Sequence, residues 1–153
     1  MLNAPIHELL PHAGDMIFLD RVTVLESERI VAASTVRSDW LLCQQGALPA
    51  WAAIELMAQT VAAFAGGHAR LAGEPVKLGF LLGTRRFTTN TDIIPAGTEL
   101  TIEARCSLQD EGGMGVFECR LTADAILIEA RLNVFSPHDP DAYLQDAIEE
   151  SET

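Results

Sequence analysis

Residues 50–67 read Ala-Trp-Ala-Ala-Ile-Glu-Leu-Met-Ala-Gln-Thr-Val-Ala-Ala-Phe-Ala-Gly-Gly, and only Glu55, Gln59 and Thr60 among them are polar. Alanine, leucine and methionine favour helix, Pro49 suits the first helical turn, and Gly66-Gly67 signals a stop. A helix lying on the surface of a globule keeps a polar face. This one has almost none, so it must be enclosed on nearly every side. A membrane span of that length is disfavoured by a Glu and a Gln near its middle. The segment reads as a buried core helix, and the rest of the chain must wrap it.

The wrap reads as sheet. Alternating runs occupy residues 16–24, 29–36, 76–88, 98–109, 114–122 and 126–135. Gly112-Gly113 is a tight-hairpin signal. A turn there sets Leu108 opposite Phe117, Cys106 opposite Cys119 and Ala104 opposite Leu121, with Arg105, Ser107, Glu118 and Arg120 on the other face. A second turn near Ala123-Asp124 lets Ile126, Ile128, Ala130, Leu132 and Val134 continue the inward face. The expected architecture is α+β: a short leading helix, two strands, one long buried helix, then at least four antiparallel strands curved around it. A chain of 153 residues without repeat or linker makes one domain. Residues 1–138 form that domain and residues 139–153 an acidic C-terminal tail. A short helix after Pro140 would carry Tyr143, Leu144, Ala147 and Ile148 as its apolar stripe, and the tail reads either as a solvated extension or as a flap over a groove.

Acids outnumber bases 22 to 10, so the chain can hardly assemble the basic face that phosphate neutralisation needs, and no nucleic-acid partner is expected. Cys43, Cys106 and Cys119 are too few and too scattered for a disulfide framework or a Cys-x-x-Cys metal site. Two packed thiols are the reading for Cys106 and Cys119, and a packed thiol for Cys43. With no signal peptide at its start, the chain reads as cytoplasmic. Neither a nucleophile elbow nor a phosphate loop appears, and no metal or cofactor is expected.

Leu10-Pro11-His12-Ala13-Gly14-Asp15-Met16-Ile17-Phe18-Leu19-Asp20-Arg21-Val22 resembles the opening of the beta-hydroxyacyl-acyl-carrier-protein dehydratases of fatty-acid synthesis. Pro49 with Ile54-Glu55-Leu56-Met57-Ala58-Gln59 is similar to that family's helix motif, and residues 79–87 followed by Pro95-Ala96-Gly97 to its arginine-phenylalanine strand and following turn. The resemblance covers roughly residues 9–135 and implies the hotdog fold, usually dimeric with active sites at the subunit interface. Where that family carries its catalytic histidine, residues 40–48 read Trp-Leu-Leu-Cys-Gln-Gln-Gly-Ala-Leu, without one. With Pro-His-Ala-Gly-Asp-Met and the sequence around the helix start, this is more similar to the divergent dehydratase-like proteins of aryl-polyene pathways, which associate with a second, more typical dehydratase.

The resemblance implies dehydration of 3-hydroxyacyl thioesters on acyl carrier protein. That reaction needs a base for the α proton, an acid for the departing hydroxyl and donors for the thioester oxygen. Glu55, enclosed and with no cation on its own helix, is the expected acid, because desolvation favours its protonated form; Gln59, one turn along, is its expected neighbour in the substrate site. The helix-start amides of Ala50 and Trp51 and a strand amide near Phe80 or Leu81 are the expected carbonyl donors, although Trp51 reads equally well as core. Met57, Phe64, Phe80 and Leu82 suit either an acyl channel or plain core. His12 is the one histidine placed to stand in as base, although a structural role at the mouth of the first strand reads at least as well; His68 and His138 look solvated. Lys77, Arg85 and Arg86, with Arg70, are the bases able to dock an acidic carrier, with at most one of the adjacent arginines on any one face. The other readings are an acyl thioesterase, using a helix carboxylate and a bound water, and a non-catalytic subunit that pairs with an active dehydratase. The expected assembly is a homodimer, or a heterodimer with a second hotdog dehydratase.

Overall fold

The computed structural model of the chain describes residues 4–76, 79–136 and 148–149. Its elements are β1 (Arg21–Leu25), β2 (Arg29–Thr35), β3 (Ala47–Pro49), α1 (Ala53–Leu71), β4 (Phe80–Thr89), β5 (Ile93–Pro95), β6 (Glu99–Gln109), β7 (Met114–Ala123) and β8 (Ile126–Phe135). Six strands form one antiparallel sheet in the order β1-β2-β6-β7-β8-β4, while β3 and β5 make a separate pair. The long helix packs on this sheet, across β1, β2, β6, β7 and β8. That is the expected α+β arrangement.

Alternation explains the packing. Ile30 and Ala32 on β2, Ile102 and Ala104 on β6, Leu121 on β7 and Ile128 and Leu132 on β8 are buried together with Ala53, Leu56, Met57, Val61, Ala63 and Phe64 of α1. Each fully buried Leu, Ile or Phe contributes about 1.5–3 kcal/mol relative to exposure. The rings of Phe64 and Phe117 meet edge to face at 5.5 Å, pinning the helix to β7. The other face of the sheet is solvated and laced by ion pairs: Arg29–Glu103, Arg120–Glu129 and Arg131–Glu118.

Three details depart from the sequence reading. Gly66-Gly67 does not stop the helix. It continues to Leu71 and ends in a Schellman motif, with Gly73 at φ +71°, Gly73 N–H on Arg70 O and Glu74 N–H on Ala69 O. Glycine at 66 serves a close approach instead: an added Cβ would lie 2.8 Å from the carbonyl carbon of Leu9 and closer still to its oxygen.

The β6–β7 register is also shifted. Ala104 faces Cys119 and Cys106 faces Phe117, because the loop between Asp110 and Met114 and the bulge at Ser107 each move the pairing by one residue. A shift of two leaves the inward set unchanged. The bulge at Ser107 also breaks the alternation, so Leu108 pairs with Val116 and is 58% exposed rather than inward. All three cysteines are free.

The third departure concerns the first strand, which begins at Arg21 rather than Met16. Residues 14–16 form a 3-10 turn, and the chain from Met16 to Phe18 is held by the helix instead of a neighbouring strand. The short β3–β5 pair carried too little alternation to be read from sequence. The tail residues Tyr143, Leu144 and Ala147, together with Lys77 and His138, lie outside the described residues.

Candidate active site

Gln59 organises the site. It is fully buried, and its amide is consumed by three partners: Oε1 accepts Phe18 N–H at 2.9 Å, while Nε2 donates to Met16 O at 2.6 Å and to Glu55 Oε1 at 3.1 Å. A buried amide left unpaired would cost about 1–3 kcal/mol, so this arrangement fixes residues 16–18 across the first turns of α1. Ser34 adds a second tie, its hydroxyl donating to Phe18 O. The segment thereby delivers His12 to the helix. Its Nε2 lies 3.6 Å from Glu55 Oε1, with 28% of the His12 side chain and 37% of the Glu55 side chain exposed. The structure thus brings the expected acid and base together.

The hydrogen bond from Gln59 determines how the carboxyl is used. Its N–H obliges Glu55 Oε1 to accept, which leaves Oε2 free of that bond. On the imidazole, Nδ1 is buried without a hydrogen-bond partner among the described residues. One nitrogen therefore faces the carboxyl group while the other is buried without a partner among the described residues. At 3.6 Å the carboxyl and the imidazole face one another beyond direct hydrogen-bond reach, with room for a reacting group at the opening.

Several expected site residues stand elsewhere. Gln59 is closed off from any substrate, so it orients Glu55 instead of binding an acyl chain. Glu55 is less enclosed than the apolar sequence implied, since the helix start opens to the surface of the chain. The Ala50 amide already donates to Asp92 O at 2.9 Å and is not free for a thioester. Trp51 is no core residue: its side chain is 56% exposed, one turn before Glu55. Phe80 and Leu81 begin β4, the outermost strand on the opposite edge from β1, far in topology from the segment that carries His12. Met57 and Phe64 are core, whereas Leu82 is exposed, so these four residues line no common channel within one chain.

The remaining candidates resolve simply. Cys43 donates its thiol to Arg37 O at 3.2 Å, and burial raises its pKa, which suits a packed thiol and not a nucleophile. His68 is not merely solvated; its Nε2 lies 2.8 Å from Glu26 O and its ring meets Phe64 edge-on. Arg85 and Arg86 are both exposed, because a bulge with Arg86 at φ +55° breaks the alternation that would have separated them. Arg70 is committed to Glu8 at 2.6 Å.

Residues 4–145 match the model of the ApeP-like family, described as ApeP dehydratase. The chain belongs to the ApeP-like dehydratases. A chain of the dehydratase heterocomplex ApeI:P from Xenorhabdus doucetiae is 32% identical, over 93% of this chain and 96% of that one, with a TM-score of 0.85. More distant folds include a hypothetical thioesterase with coenzyme A from Streptococcus pneumoniae (14% identical, 76% and 84% of the two chains, TM-score 0.58) and the PaaI protein of E. coli (14%, 74% and 80%, TM-score 0.57). At that identity they show the hotdog fold alone. No curated protein matches the sequence. Membership in the ApeP-like dehydratases agrees with the resemblance carried by residues 10–22 and 49–59. No described helix is long and apolar enough to cross a membrane.

Proposed function

We propose that this chain is a dehydratase subunit of aryl-polyene synthesis, removing water from 3-hydroxyacyl thioesters carried on acyl carrier protein, with Glu55 as general acid and His12 as base. The observation that carries the reading is the convergence of His12 and Glu55 at 3.6 Å, from two separate elements, where the helix start opens to the surface. His12 takes the α proton, and electrons move onto the thioester oxygen. As the enolate collapses, the Cβ–O bond breaks and Glu55 Oε2 gives its proton to the departing hydroxyl. The products are an enoyl thioester and water. His12 then releases its proton to solvent at the open helix start and Glu55 Oε2 regains one from it, restoring both groups. Each of the two proton transfers is of a kind that contributes about a hundredfold or more to rate.

The carbonyl donors are the incomplete part within one chain, with the Ala50 amide occupied and β4 on the far edge of the sheet. This supports a subunit that works paired with a second hotdog protein, as the ApeI:P heterocomplex of the relative is paired. Arg85 and Arg86 form no ion pair among the described residues, so they are among the bases able to meet an acidic carrier in a chain of net charge -12. Free cysteines suit a cytoplasmic setting.

Mass detection of 3-hydroxyacyl-carrier protein, incubated with this protein alone and then with a candidate partner dehydratase, tests the reading. The expected result is loss of one water with the acyl chain still on the carrier. Release of free acid would replace the dehydratase with the thioesterase reading. Turnover by the partner that is indifferent to E55Q in this chain would make it a non-catalytic subunit.

A further inference from the structure

A stretch of N-terminal chain runs the length of α1 in the opposite direction. Glu8 Oε2 meets Arg70 Nη1 at 2.6 Å near the helix end. Leu9 is fully buried and lays its carbonyl on Gly66. Pro11 is the last residue before His12, which reaches Glu55 in the first turn. Glu55, Gln59, Ala62 and Gly66 stand on one stripe, because steps of three and four residues return to the same helix face. The strap follows that stripe from end to end.

The link between the two contacts is short. Glu55 and Gly66 are separated by three helical turns, about 16 Å of rise. Between Leu9, which has helical dihedrals, and His12 stand only Leu10, itself buried, and Pro11. Pro11 stiffens the link further by fixing its own φ. A displacement of Leu9 therefore has few torsions in which to be absorbed before His12.

Gly66 is the point where that displacement is decided. Glycine inside a helix costs about 0.5–1 kcal/mol relative to alanine, so its presence needs a reason, and the missing Cβ supplies one. Any side chain at 66 would collide with backbone atoms of Leu9, which cannot swing aside as a flexible side chain does. We propose that Gly66 is a positioning residue for the dehydration: by letting the Leu9 carbonyl lie on the helix, it sets where His12 stands over Glu55. The inference rests on the role given to His12 above.

The test compares G66A with A65G, which lowers helix propensity at an exposed neighbour without touching the strap, and with P11G, which slackens the link without touching helix or core. Turnover of a 3-hydroxyacyl-carrier protein is measured for the whole protein, with its partner present if the wild type requires one. G66A and P11G are expected to lower kcat about tenfold with KM unchanged, while A65G leaves kcat unchanged. In an H12N background neither G66A nor P11G should cost anything further. Hydrogen exchange gives a readout independent of activity: amides of residues 6–10 should exchange faster in G66A, with those of residues 56–64 unaffected. Equal losses for G66A in both backgrounds, or wild-type exchange together with wild-type turnover, would overturn the positioning role. Should G66A not fold, a P11G variant with wild-type kcat overturns it instead. Full turnover in H12N sinks the reading of His12 itself, whatever the exchange data show for the strap.

Discussion

The two ends of α1 are finished in opposite ways. At its C-terminus the chain closes on itself: Gly73 and Glu74 return their amides to the last turn, Leu9 lies on Gly66, and Glu8 clasps Arg70. Its N-terminus has no side-chain cap; Trp51 stands exposed there, and Glu55 and His12 share the opening. The difference teaches where this fold spends its stability and where it keeps chemistry. Groups at the closed end are satisfied within the chain, so perturbing the cap and the Glu8–Arg70 clasp should change melting before turnover, whereas Gly66 reaches turnover through the strap. Groups at the open end make few contacts that folding needs.

The sharpest separation comes from E55Q. Turnover should fall about a hundredfold, the scale for losing a general acid, while the melting temperature moves by no more than about 2 °C, as expected for roughly 0.5 kcal/mol in a chain of this size. A melting shift of many degrees would show that the open end also carries stability. Steady-state assays and thermal melts of the same preparation decide it.

Next in size is a pH effect from the floor beneath the helix. Burial pushes the Cys119 thiol up to about 12 from its ordinary 9.0. The folded protein therefore keeps this proton between about pH 9 and 12 while the unfolded chain releases it. The folded-state pKa is the higher one, so the stabilisation is complete below pH 9 and is lost as the pH rises, by at most about 1.4 kcal/mol per unit. Denaturant midpoints across that range should fall for the wild type and flatten in C119A. Parallel slopes for the two proteins would show a wetter floor than the buried β7 strand indicates.

Gly73→Ala tests the closure itself. Alanine at φ +71° is strained, and about 1–2 kcal/mol of stability should be lost, the size of a left-handed backbone penalty, with turnover unchanged at a temperature where the variant is folded. The smallest effect belongs to E8Q. The Glu8–Arg70 pair is exposed on both sides, so its loss should cost less than about 1 kcal/mol, and the difference from wild type should shrink as salt is added.

What the sequence made legible follows from how local each signal is. Glu55 stood out because a charge within an apolar helix has no packing reason to be there, and His12 because it sits in a motif that survives without the usual loop histidine. The sheet followed from alternation, which each strand carries for itself. Trp51 was ambiguous because its exposure depends on how far the wrap extends over the helix start, a matter of topology. Gln59 read as a site residue because its partners, Met16 O and Phe18 N–H, are backbone groups that leave no trace in side-chain identity. Gly66 read as a stop because glycine marks helix ends as well as close contacts, and only the path of Leu9 distinguishes the two. The β6–β7 pairing was misplaced because the choice depends on how the Asp110–Met114 loop closes and on the bulge at Ser107.

The bulges of β4 bear on a different problem. A strand at the rim of a sheet is an invitation to any passing chain, since its outward amides and carbonyls repeat at regular intervals. Two interruptions, between Leu81 and Gly83 and between Arg85 and Thr88, break that rhythm. An unrelated segment laid along this rim loses register within a few residues and meets two guanidinium groups as it does so. A neighbour whose own backbone carries matching irregularities meets no such obstacle. The interrupted rim thus discourages the edge-to-edge pairing that leads to aggregation.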